Sequence, residues 1–187
     1  MKHQRLFAAI VIVFTLFLLG AARPAFAGFE AAARVGLFEP VDNTFETFYK
    51  QGLVEGVYAG WTNTHGLGAL LGVDTFFTKV QYHDRIHRAY LIPVTLSCLY
   101  LPLPAERVTP LFGFGVGWYH LSDFSLFNHQ SHAADTVGYH GFAGVRARLY
   151  AGLFSDLQIK YSYARVQSVS DINLGGWTST LGVGYSF

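Results

Sequence analysis

Two groups of side chains in this chain have the types and spacing that chemistry requires. The first is His120-x-Ser122, with Asp135 further along. An imidazole beside a hydroxyl, with a carboxylate to orient the ring, is the arrangement that activates a nucleophile. The second is a histidine set, His83, His87, His129 and His132, with Asp84 and Asp135 close in sequence. Imidazoles and carboxylates suit zinc, copper or nickel. The step from His83 to His87 shares a face only on a helix, and YHDRIHR has no helical apolar stripe. These histidines therefore read as solvated loop residues before they read as a metal site. GFGVG and GGW are isolated glycine clusters without the context of a phosphate cradle, and no cofactor is expected.

What would hold such residues in place begins with the front of the chain. Lys2 and Arg5 precede the apolar run LFAAIVIVFTLFLLG, and AFA (25–27) puts small residues at the −3 and −1 positions before Gly28. This pattern predicts a cleaved secretory signal peptide over 1–27 and a mature domain over 28–187. The apolar run is short for a spanning helix of ~20 residues. Without Lys2, Arg5 and Arg23 the mature part carries 10 basic and 12 acidic residues, a formal charge of −2. That balance gives no reason to expect nucleic acid as a partner. Cys98 is the single cysteine, so no internal disulfide can form.

Hydrophobic residues make up 51% of the chain and charged ones 13%, against ~25% charged in ordinary soluble domains. No stretch after residue 27 approaches ~18 uninterrupted apolar residues, so a helical span is excluded there. An exported chain too apolar for water and without a spanning helix points to a sheet closed on itself in a bilayer. Eight alternating segments fit: 29–38, 52–62, 66–78, 88–101, 109–122, 137–149, 153–165 and 175–187. Long polar connections (39–51, 79–88, 123–136, 166–175) alternate with mostly short ones (62–65, 101–109, 150–152), as external loops and periplasmic turns do. The expected fold is all-β, an eight-stranded closed antiparallel transmembrane β-barrel. Pro93 lacks a donor within the fourth segment, which predicts a bulge there.

Period-two parity assigns the faces. Leu157, Ile159, Tyr161 and Tyr163 oppose Asp156, Gln158, Lys160 and Ser162. The last segment sets Trp177, Leu181, Val183, Tyr185 and Phe187 against threonines and glycines. The expected interior charges are Arg34, Asp74, Arg146, Arg148, Asp156 and Lys160, with Glu30 in phase. Opposite charges in a narrow lumen should pair, because an unpaired buried charge costs several kcal/mol. Eight strands leave room inside for little more than side chains. His120 and Ser122 share parity with Phe112, Phe114 and Trp118, so they should point outward near the outer boundary. Asp135 would have to fold back from the third long loop to reach His120, and is expected not to. A soluble lipocalin-like barrel would invert these faces; tryptophans and tyrosines concentrated near strand ends, as in membrane girdles, argue against it.

TPLFGFGVGWYHLSD (109–123), GYHGFAGVRARL (138–149), LQIKYSYARV (157–166) and the closing GYSF resemble the OmpA-like outer-membrane β-barrel domain family. The resemblance implies Sec-type export to the outer membrane of a Gram-negative bacterium, with lipid and lipopolysaccharide as surroundings and a ligand of the external loops that it does not name. It also implies that the terminal Tyr185-Ser186-Phe187 serves as a signal to the barrel assembly machinery. The His-x-Ser pair resembles the motif of the lipid A deacylase family, also eight-stranded barrels. That family places its acid, a Glu, on a neighbouring strand and an Asn after the Ser; here the candidate acid is Asp135 and the residue after the Ser is Asp123. The role implied first is structural or surface interaction without enzyme activity. A deacylase-like hydrolase and a small-molecule conduit of the OmpW type are the alternatives, and interior charges speak against the conduit.

Overall fold

The computed structural model describes residues 28–42, 46, 51–82, 85–124, 131–167 and 171–187. Among the described residues ten strands form in chain order: β1 (Phe29–Pro40), β2 (Gly52–Thr62), β3 (Leu67–Tyr82), β4 (Arg85–Tyr100), β5 (Val108–Phe124), β6 (Ser131–Arg148), β7 (Leu153–Tyr163), β8 (Arg165–Gln167), β9 (Asp171–Asn173) and β10 (Gly176–Ser186). Eight of them close an antiparallel barrel in the order β1-β10-β7-β6-β5-β4-β3-β2, and β8–β9 is a separate two-stranded hairpin. The seam between β1 and β10 runs from Glu30↔Ser186 to Pro40↔Gly176.

Turn chemistry at the end holding Phe29 and Phe187 is local. Asn63 Oδ1 accepts the backbone N–H groups of His65 and Leu67 at 2.9 and 3.0 Å, and Gly66 adopts φ +80°. Asx capping of this kind fixes a tight turn without help from packing. Ala151 (φ 46°) and Gly152 (φ 87°) make the turn between β6 and β7. At the opposite end β3 to β6 run well past the apolar segments, so strand replaces much of the expected loops 79–88 and 123–136. Backbone ladders continue there although the hydrophobic alternation has stopped, and alternation was the signal used to end the strands. The expected 166–175 loop likewise contains the β8–β9 hairpin.

Pro93 makes no bulge. Val73↔Val94 and Phe76↔Leu91 keep one register, and no residue is inserted. The ladder simply omits the pairs opposite Pro93 and Ile92 on β3, while Pro93↔Tyr119 pairs normally with β5. A missing donor on one side of one strand costs a local pair and leaves the sheet otherwise intact.

The outside is largely apolar. Phe114, Val116, Val137, Leu157, Ile159, Leu181 and Val183 are all more than half exposed. Tyr185 and Phe187 lie on this outer face, their rings edge-on at 5.1 Å. The inside is layered. At the extended end Phe38, Val54, Phe76, Leu91 and Tyr119 pack with Ala164, Val166 and Leu174, so the β8–β9 hairpin and its flanks cap the lumen. A second apolar cluster, including Leu70, Leu99, Leu111, Phe142 and Phe154, fills one wall of the opposite half. Charges occupy the space between and beside these clusters.

Candidate functional site

The lumenal charges form two groups of opposite balance. Asp74, from β3, accepts Arg34 Nε and Nη2 at 2.7 and 2.8 Å and Lys160 Nζ at 2.7 Å. It sits where Gly56 faces it: a Cβ on Gly56 would collide with Asp74 Oδ1. Arg146, from β6, reaches Glu30 through Nη1 and Nη2 at 2.6 and 3.0 Å and Asp156 through Nε and Nη2 at 2.8 and 3.1 Å. Tyr58 donates its hydroxyl to Asp156 and receives Arg146 Nη2 at 3.2 Å. One group therefore has two cations on one carboxylate, and the other has one cation between two carboxylates. Bidentate guanidinium–carboxylate geometry satisfies most polar atoms in each.

Arg148 is not part of this set. It has lumenal parity, but two residues beyond Arg146 the strand has reached the rim, and the side chain is exposed. It lines a cavity of about 610 Å³ that opens at this end, together with Glu30, Arg146, Leu101, Phe154 and Phe187. Deeper, a void of about 10 Å³ lies among Arg34, Lys160, Ser97, Thr95 and His140. That is room for about one water molecule. His140 and Ser97 were not singled out from the sequence. They bond at 2.8 Å over Gly115 of the intervening β5, and His140 Nδ1 has no partner among the described residues.

On the outer face, Asp135 is a strand residue directly opposite His120 in the β5–β6 register. His120 Nδ1 and Asp135 Oδ1 are 2.7 Å apart, both side chains partly exposed. The expectation that Asp135 would stay away from the ring fails because β6 starts at Ser131 and pairing brings it there. Ser122 is two residues beyond His120 on the same face, half-buried, with no hydrogen bond to His120. Two rises of ~3.3 Å separate the two backbones. The geometry thus supplies a carboxylate–imidazole pair and leaves the hydroxyl unengaged. The Trp118 ring lies 5.9 Å from the imidazole, marking the edge of the apolar belt.

Of the histidine set, His83 and His129 lie outside the described residues, and His87 and His132 are described in backbone only. Among the described residues no group of three or more His, Cys, Asp or Glu side chains is placed to hold a metal ion.

Glu55 is a residue that sequence reasoning missed. It lies on β2 in phase with Leu53, Val57 and Trp61, on the outer face, and it is exposed. Its cross-strand partners are Val35 and Thr75. The signal was available: one acidic residue interrupts an otherwise apolar comb.

No protein-family model matches this chain, and none of the curated proteins does either. Solved structures do. Neisserial surface protein A is 15% identical with a TM-score of 0.70, over 86% of this chain and 98% of that one. The outer-membrane protein OprG from Pseudomonas aeruginosa is 16% identical with a TM-score of 0.63, over 86% and 96%. Ail, the attachment invasion locus protein of Yersinia pestis, solved with the heparin analogue sucrose octasulfate, is 15% identical with a TM-score of 0.56, over 86% and 99%. At such identities the likeness is one of fold. The chain has the architecture of the small eight-stranded outer-membrane barrels.

Proposed function

We propose that this chain is an outer-membrane barrel of a Gram-negative bacterium, exported through its 1–27 signal peptide, with a closed lumen and a structural or surface-interaction role. The observation that carries this reading is the inversion of polarity. An apolar belt surrounds the sheet while Arg34, Asp74, Arg146, Asp156 and Lys160 are enclosed and paired. In water such a molecule would expose its apolar surface and bury its charges, an arrangement that only a bilayer favours. Lipid and lipopolysaccharide surround the belt, and Tyr185 and Phe187 present the last strand to the barrel assembly machinery. Recognition belongs to the external loops, in keeping with the surface and attachment proteins among its structural neighbours. The charged layers and the hairpin cap argue against a solute conduit. Purified protein in a planar bilayer is expected to give no stable large conductance; reproducible porin-like steps would overturn the closed lumen.

One observation favours a second reading. The His120–Asp135 contact is half of the relay a deacylase-like hydrolase needs, and Ser122 lies beside it. Mass spectrometry of lipid A from expressing cells decides between the readings. No acyl loss is expected with either the wild type or Ser122→Ala. Ester cleavage that disappears with Ser122→Ala would establish the hydrolase and end the purely structural role.

A further inference from the structure

Glu55 is surrounded by the wrong neighbours for a carboxylate. Leu53 and Val57 flank it on β2, Val35 and Thr75 lie across from it, and Leu37 and Val73 complete the ring of outward residues. Leu53, Val35, Leu37 and Val73 are exposed, as Glu55 is. It makes no hydrogen bond or ion pair with any described residue. Other outward polar groups are placed differently: the His120–Asp135 pair satisfies itself at the edge of the belt, and Glu39 lies at the end of β1 opposite Trp177.

Depth follows from strand geometry. Each outward step is two rises of ~3.3 Å on a strand tilted by ~40°, or about 5 Å of height. Glu55 is three steps from Trp61 and one step inside Leu53, so it stands about 15 Å from the Trp61 girdle in a belt ~25 Å tall. A carboxylate at that depth is costly without a cation or donor, and intramembrane ionisable residues mark functional contacts. Smaller residues lie on the Trp61 side of this ring. Ala33, Ala59 and Ala69 lie on the outer face of β1, β2 and β3, and small residues let a second membrane-embedded backbone approach closely.

We propose that the outer face of β1–β3 is a docking surface inside the membrane for a transmembrane segment of a different protein, which brings a lysine or arginine to Glu55. This rests on the outer-membrane placement above. Charge complementarity selects the occupant. A second copy related by an axis along the membrane normal meets Glu55 with residues of the same depth, and no described outward residue at that depth is a cation. A copy therefore offers the carboxylate no cation among the described residues.

The test uses the native chain in outer-membrane vesicles. The wild type is expected to migrate on native gels as a complex larger than the barrel, and Glu55→Gln as the barrel alone, with the Glu55→Gln chain still folded by its resistance to cold SDS. Dicyclohexylcarbodiimide, which partitions into membranes, joins a carboxylate to a nearby amine as an amide and carries off the water as its urea. A Glu55 amide to a lysine in a membrane strand of another protein locates the contact; an arginine partner leaves the Glu55-dependent complex without the amide. A complex indifferent to Glu55→Gln, a complex of this chain alone, or an amide to a lipid amine overturns the proposal. Labelling of Glu55 by a water-soluble carbodiimide with an aqueous amine would instead remove the membrane placement itself.

Discussion

The lumen and the belt handle charge in opposite ways. Inside, Arg34, Asp74, Lys160, Glu30, Arg146 and Asp156 all have ionic partners within 3.1 Å. Outside, Glu55 has none among the described residues. The enclosed charges are complete within one chain and need nothing further; they tie β1 to β3, β6 and β7 across the lumen. The outer carboxylate is incomplete within one chain, and incompleteness is what distinguishes a recognition feature from a structural one. Polarity alone does not make the distinction; partnering does.

The largest effect should come from breaking the lumenal side of this contrast. Arg146→Ala leaves Glu30 and Asp156 enclosed and unpaired and is expected to cost about 3–5 kcal/mol. Urea unfolding in phospholipid vesicles measures it. Replacing all three with apolar residues of similar volume should recover most of the loss, since pairing rather than charge holds the layer. A triple variant no more stable than Arg146→Ala would mean that the ion pairs themselves, and not only the cost of breaking them, hold the layer.

A middling effect is expected from geometry. Gly56→Ala forces a methyl group against Asp74 and should cost about 1–3 kcal/mol by overpacking, read in the same unfolding assay. An unchanged midpoint would show that the Arg34–Asp74–Lys160 group has slack. The smallest effect has the opposite sign. In vesicles of pure phospholipid, Glu55→Leu should stabilise the isolated barrel by about 1 kcal/mol, the range for an acidic side chain between belt centre and interface. Destabilisation there would mean that Glu55 has a partner within its own chain.

Period two was enough to place most of this from the sequence. In 153–165, Asp156 and Lys160 alternate with Leu157 and Ile159, and they lie in the lumen because the pleat leaves no other choice. Which cation meets which carboxylate was not legible. Arg34 and Asp74 are 40 residues apart, and Arg146 and Glu30 are 116 apart; both meetings depend on the shear of the closed barrel. Asp135 was misplaced for a related reason. Polar residues in 131–136 gave no alternation to read, yet the β5–β6 ladder carries through them. Arg148 shows the limit of parity, which tells inside from outside but not how far a strand has to run before it reaches water. Glu55 was readable in principle, as an acid in phase with leucine, valine and tryptophan.

The β1–β10 seam has a consequence for the birth of the molecule. Its first and last strands are hydrogen-bonded over their whole length, and Phe187 N–H donates to the carbonyl of Phe29 at 2.8 Å. Until β10 pairs with β1, every partial sheet has two open edges and an apolar face, which is the template for aggregation. No half of the chain can fold early and wait for the other. Closure of the barrel is therefore a single act that waits on the pairing of β10 with β1.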